Sequence, residues 1–128
     1  MKKTIINTKN APNPIGPYNQ AIKTGNMLFI SGQVAMDAEN NNQLKISSIN
    51  EETHQVMKNL SAILREANMD FLNVVKTTIF LSDMSYFNEV NSIYGSYLKE
   101  GQEPARETIA VKTLPKEVNI EISMIAVD

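Results

Sequence analysis

Two stretches of helical periodicity stand among about five strand-like runs, and two helices can cover only one face of the sheet those runs would build. The order along the chain is ββ-α-β-α-ββ. Residues 21–24 and 27–34 read as strands, and Gly25-Asn26 between them is a hairpin-turn dipeptide. Ser48 followed by Glu51 makes a capping box that opens the first helix. Val56, Leu60, Ile63, Leu64 and Ala67 give it one apolar stripe, and Asn68 is a left-handed stop. Residues 74–81, rich in β-branched side chains, predict a strand. Ser85 is the candidate N-cap of the second helix, whose stripe is Phe87, Val90, Tyr94 and Leu98 and which Gly101 and Pro104 end. A short strand over 108–111, a turn at Leu114-Pro115-Lys116 and a last strand over 119–127 complete the chain. Pro12, Pro14 and Pro17 make the first 20 residues mostly irregular, and the polar run 37–43 reads as an exposed loop. No linker or repeat divides residues 1–128, which predict a single α+β domain.

The face left uncovered by the helices is not polar. In the last strand Ile120, Ile122, Met124 and Ala126 point one way, and Glu121, Ser123, Ile125 and Val127 the other. In the middle strand Val75, Thr77, Ile79 and Leu81 alternate with Val74, Lys76, Thr78 and Phe80. Apolar side chains on both faces predict an oligomer, because burying such surface is worth about 25 cal/mol per Å².

Composition removes several classes of chemistry. With no cysteine, disulfides, zinc–thiolate sites and cysteine nucleophiles are impossible, and a single histidine, His54, cannot make a multi-histidine metal site. His54 reads as a surface residue beside Glu51 and Glu52. A net charge of −2 argues against a nucleic-acid partner, whose phosphates call for a basic face. No apolar run is longer than the four residues of 27–30, so no membrane span is expected and a cytoplasmic setting is. There is no glycine-rich phosphate loop or dinucleotide fingerprint.

A few residues remain as candidates for chemistry. Arg106 lies in Pro104-Ala105-Arg106-Glu107-Thr108, and a guanidinium offers a carboxylate two parallel donors in a fixed fork. The plainer reading is a surface arginine paired with Glu103 or Glu107. Glu121, between Ile120 and Ile122, points to the uncovered face, where partial burial raises a carboxyl pKa toward neutrality. Its plainer reading is a solvated strand residue, or an ion pair with Lys76 or Lys112. In Ser31-Gly32-Gln33 the glycine lets a ligand approach the backbone, or marks a β-bulge. Tyr18, in a Gly16-Pro17 turn, either aims its hydroxyl into a cleft or packs, and Asn91 lies one residue off the second helical stripe.

In order and spacing these segments resemble the RidA/YjgF family over nearly the whole chain. The resemblance is carried by residues 11–21 (Ala-Pro-Asn-Pro-Ile-Gly-Pro-Tyr-Asn-Gln-Ala), 30–34, 74–84, Phe87 through Asn91 to Tyr94, Pro104-Ala105-Arg106, Leu114-Pro115-Lys116 and Ile120-Glu121-Ile122. It implies a chorismate-mutase-like fold, a mixed β-sheet with two helices on one face, and a homotrimer with active sites between subunits. It implies hydrolytic deamination of small 2-imino acids (2-iminobutanoate and 2-iminopropanoate) to 2-keto acids and ammonia, without a cofactor. Carried over by position, Arg106 binds the substrate carboxylate, Ser31 and the Gly32 amide hold the substrate, and Tyr18, Phe87 and Asn91 line the cleft, partly from the neighbouring subunit. Glu121 positions or activates the water, near Thr108, which stands where several members have cysteine and others threonine. Glu107 departs from the small residue often found after the arginine, and as its neighbour it is a candidate to pair with Arg106 and weaken its grip. The rivals are a non-catalytic trimer that binds small keto acids and an RNA-directed ribonuclease or translation inhibitor.

Overall fold

The computed structural model describes residues 2–128. Its strands are β1 (Lys3–Ile6), β2 (Ala21–Thr24), β3 (Met27–Gln33), β4 (Met36–Asp37), β5 (Gln43–Leu44), β6 (Val74–Leu81), β7 (Ala105–Ala110) and β8 (Ile120–Val127). The helices are α1 (Ile49–Glu66) and α2 (Phe87–Ser96). Six strands form one mixed sheet in the order β1-β2-β3-β8-β6-β7, and β4 with β5 makes a small separate hairpin. Every pairing is antiparallel except β6 with β7. That parallel pair needs a crossover, and α2 supplies it. The fold is therefore α+β with a mixed sheet and two helices, as the sequence predicts, and Gly25 has the positive φ of 58° that its turn requires.

The core lies between the helices and one sheet face. Val56, Met57, Leu60, Ile63 and Leu64 of α1 are fully buried, as are Ile120, Ile122 and Ala126 of β8 and Ile79 and Leu81 of β6. The opposite face carries Phe29, Val75 and Ile109, each more than two-fifths exposed in the single chain. Among the described residues no helix is long and apolar enough to cross a membrane.

Several details depart from the sequence reading. The first 20 residues are mostly irregular as expected, but Lys3–Ile6 forms a strand that pairs with Ala21–Thr24. The prolines begin only at Pro12, beyond the β-branched Thr4-Ile5-Ile6 run. The polar stretch 37–43 is folded into the ends of the β4–β5 hairpin, joined by a 3-10 turn over Ala38–Asn40. Between Val74 and Lys76 the β6–β8 register shifts, so Val74 is buried and Val75 exposed, opposite to a simple alternation. The Ser48 hydroxyl does accept from the Glu51 amide, but the Glu51 carboxylate takes the Ser47 hydroxyl, so the capping box is only half formed. Asp83, not Ser85, caps the 3-10 turn that runs into α2. Asn68 adopts φ 59°, as a left-handed stop should. The last strand but one along the chain, β7, starts at Ala105 rather than Thr108, which brings Arg106 inside the strand.

Candidate active site

Strand alternation sorts the candidate residues onto two faces of the sheet. On edge strand β7, Arg106 stands opposite Thr77, which is buried beneath the helices, so Arg106 and Thr108 turn to the helix side. Phe87, Asn91 and Tyr94 of α2 meet Arg106 there. Its Nη1 donates to Asn91 Oδ1 at 2.6 Å, and its guanidinium carbon lies 5.7 Å from the Phe87 ring centre and 5.4 Å from that of Tyr94. The Tyr94 hydroxyl donates to Thr77 Oγ1 at 2.9 Å and so fixes the ring. Burial raises the Tyr94 pKa, which keeps the phenol a neutral donor. Arg106, Asn91 and Tyr94 line a hollow of about 270 Å³ with Leu98, Glu103 and Pro104.

No carboxylate holds Arg106 among the described residues. Glu103, on the rim, accepts from the Gly101 amide at 2.9 Å, and that bond lowers its pKa. Glu107 faces away: its carboxylate takes Lys76 Nζ at 3.0 Å and the Thr78 hydroxyl at 2.6 Å on the open side, and the Thr78 and Lys76 bonds lower its pKa. The expected Glu107–Arg106 pair is thus overturned, because consecutive strand residues point to opposite faces. Thr108, two residues from Arg106 and on the same face, has a buried hydroxyl oxygen with no hydrogen-bond partner.

The other candidates gather across the sheet. Between Ile30 and Gln33 the β3–β8 register shifts, and this bulge turns Ser31 and Gly32 toward Glu121. A β-carbon on Gly32 would fall 2.3 Å from Glu121 Oε1, so glycine is what lets the carboxylate lie against the backbone. Glu121 stands opposite Phe80 on the open face, and desolvation raises its pKa. Neither Lys76 nor Lys112 forms an ion pair with it. The Ser31 hydroxyl donates to the Asn19 carbonyl at 2.6 Å, and the Tyr18 hydroxyl accepts from the Ile15 amide at 3.2 Å. Tyr18, Ser31, Gly32 and Glu121 line a cleft of about 360 Å³ with Pro12, Ile15, Met36, Pro115 and Lys116 among its walls.

Sequence reading missed Gln20, which is buried and lines this cleft. Its amide nitrogen donates to the carbonyls of Thr8 (3.0 Å), Ala11 (3.3 Å) and Pro12 (2.9 Å), and its oxygen accepts from the Thr8 amide at 2.8 Å. One side chain thereby pins the proline-rich strap that walls the cleft. His54 is not a free surface residue either, since its Nδ1 lies 2.7 Å from the Tyr97 hydroxyl.

Each chain thus carries two groups of candidates that share no lining residue: a cationic hollow at Arg106 and a cleft at Glu121. Residues 8–128 match the family model described as endoribonuclease L-PSP. The human 2-iminobutanoate/2-iminopropanoate deaminase is 44% identical over 98% of this chain and 90% of its own length. The chain belongs to the RidA/YjgF family. A RutC family protein of Synechocystis sp. is 46% identical over 99% of this chain and 98% of its own. A crystal structure of a Rid family protein from Yersinia pestis superposes with a TM-score of 0.95 at 41% identity, covering 99% of this chain and all of that one. Family membership and the imine-deaminase names within it support an enzyme acting on imines.

Proposed function

We propose that this RidA/YjgF protein hydrolyses small 2-imino acids, such as 2-iminobutanoate and 2-iminopropanoate, to 2-keto acids and ammonia, at sites formed where copies of the chain meet. The observation that carries the reading is Arg106, held on a neutral amide and flanked by two aromatic rings, with no carboxylate of its own. Such a fork is free to take a substrate carboxylate in two parallel hydrogen bonds. The apolar open face supports assembly, and the homotrimer implied by the family resemblance would let the Arg106 hollow of one copy oppose the Glu121 cleft of the next.

In this reading the carboxylate binds Arg106, and the C=N carbon faces a water beside Glu121. The water oxygen adds to that carbon while the carboxylate takes one of its protons. Starting from the protonated imine, that proton passes to the nitrogen of the adduct. Glu121 then takes the proton of the new hydroxyl as the C–N bond breaks and C=O forms, and hands it to the departing ammonia, which leaves as ammonium with Glu121 again ionised. A carboxyl whose pKa is raised suits this exchange near neutral pH, and general acid–base help contributes typically about 10²–10⁴-fold. The unpartnered Thr108 hydroxyl and the Gly32 backbone would add polar contacts to the substrate or the water.

In an assay coupled to threonine dehydratase, Arg106→Ala is expected to lose all acceleration of 2-ketobutyrate release while keeping the wild-type mass by light scattering. Full activity in that variant overturns the reading. The family model's endoribonuclease description favours an RNA-directed reading, but the net charge of −2 weighs against it. Cleavage of single-stranded RNA by the Arg106→Ala protein at the wild-type rate would support that alternative.

A further inference from the structure

The one fully buried carboxylate of α1 is Glu52, and all of its hydrogen bonds reach Asn119 and Ile120, where the chain enters β8. Its Oε2 accepts from the amides of Asn119 at 2.7 Å and Ile120 at 3.0 Å, and its Oε1 from Asn119 Nδ2 at 3.0 Å. Asn119 is tied in turn to the end of β6: its Oδ1 accepts from the Ser82 hydroxyl and its carbonyl from the Ser82 amide, both at 2.9 Å. A buried carboxylate is costly unless its lone pairs are filled, and here three N–H donors fill them. Stability alone does not call for an ionisable group at such a place, since well-packed apolar residues often serve as well.

What the clamp holds is more specific. Ile120 immediately precedes Glu121. Upstream, Pro115–Glu117 forms a tight turn in which Lys116 and Glu117 adopt φ of 58° and 55°. Pro115, Lys116 and Glu121 all line the 360 Å³ cleft, so the clamped segment lies between two pieces of its wall. Arg106 and Asn91 sit on β7 and α2 and line a hollow to which the clamped segment contributes nothing.

We propose that Glu52 is a positioning residue for the reaction: it fixes the start of β8 so that the Glu121 carboxylate and the Pro115–Lys116 rim keep their places about the water and the C=N carbon. This rests on the deaminase reading above. Its signature is a loss of turnover without a loss of substrate grip, because the carboxylate-binding arginine is held by other elements.

The test uses the full chain with Glu52→Ala, Glu52→Gln and Asn119→Ala. Glutamine can keep the clamp without the charge. Its oxygen takes the two backbone amides, and its nitrogen donates to an Asn119 side chain flipped so that Nδ2 points to the Ser82 hydroxyl. In the coupled assay Glu52→Ala is expected to lower kcat on the order of 100-fold, as misplacement by about 1 Å can, while KM and the calorimetric Kd for 2-ketobutyrate stay within about threefold. Glu52→Gln is expected to restore kcat to within about threefold of wild type, and Asn119→Ala to fall between. Wild-type kcat in Glu52→Ala refutes the proposal, as do equal losses in the alanine and glutamine variants with KM and Kd rising together. If Glu52→Ala does not fold, Asn119→Ala decides by the same criteria. Absence of acceleration by the wild-type protein would refute the deaminase reading itself, and is distinct from an active wild type with an indifferent Glu52.

Discussion

Replacing Gly32 by alanine isolates the contact between a backbone and a carboxylate. The added β-carbon would meet Glu121 at 2.3 Å from Oε1, 2.9 Å from Cδ and 3.1 Å from Cγ. Comfortable carbon contacts begin near about 3.5 Å, so the carboxyl must withdraw by about 1 Å. The backbone itself offers no obstacle, because Gly32 is not among the residues with positive φ. The structural cost is then one side chain pushed off its rotamer, about 0.5–1.5 kcal/mol. Reduced freedom of the unfolded chain returns about 0.4–1 kcal/mol, so Tm should fall by no more than a few degrees. Catalysis should respond far more, since a displacement of about 1 Å can cost about 100-fold. Stopped-flow assay of imine decay with enzyme present, beside thermal denaturation, reads both quantities. Adding Gly32→Ala to Glu121→Gln should then cost little further, because the two changes strike one group. Wild-type turnover in Gly32→Ala, or a loss of activity matched by collapse of Tm, would refute the reasoning.

Asn91→Ala removes the 2.6 Å acceptor that aims Arg106, and KM in the coupled assay is expected to rise about tenfold with kcat less affected; an unchanged KM would show that the two aromatic rings suffice. Burial raises the pKa of Glu121, so the native state holds that proton more tightly than the unfolded chain does. The resulting stabilisation is complete below the unfolded carboxyl range and is lost as pH rises through the higher native value. Glu121→Gln should therefore raise Tm at pH 7.5 and leave it unchanged at pH 3.5, and a gain at the acid pH instead would contradict the sign. Phe29, on the open face and 41% exposed in the single chain, is the place to test assembly. Phe29→Glu should lower the mass seen by light scattering and abolish turnover, whereas an oligomer of wild-type mass would exclude that face from the interface.

The elements legible in the sequence were those whose pattern is local. The α1 stripe, the Gly25-Asn26 turn, Asn68 and the alternation of β8 each follow from a few neighbouring residues, and all are present. Arg106 was legible as a candidate from its own segment, and the structure gives its guanidinium an amide and two aromatic rings rather than a carboxylate. Glu107 is not legible in the same way, because the β-branched run that marks the strand begins only at Thr108 while the strand itself starts at Ala105, and its alternation turns Glu107 to the other face. Glu52 does carry a local signal: it precedes Val56 and Leu60 at four-residue steps, on the buried stripe. Gln20 carried none, since its four bonds depend on how the strap of residues 8–12 returns over the sheet. The bulge at Ser31-Gly32 and the register shift after Val74 depend on partner strands far away in the chain, which local periodicity does not see.

A six-stranded sheet stands between the arginine and the glutamate of any one polypeptide. Lesions in the two are therefore expected to complement one another. Neither Arg106→Ala nor Glu121→Gln would work alone, yet refolding them together in equal amounts should regenerate about a quarter of the centres, each assembled from the intact halves of two different copies.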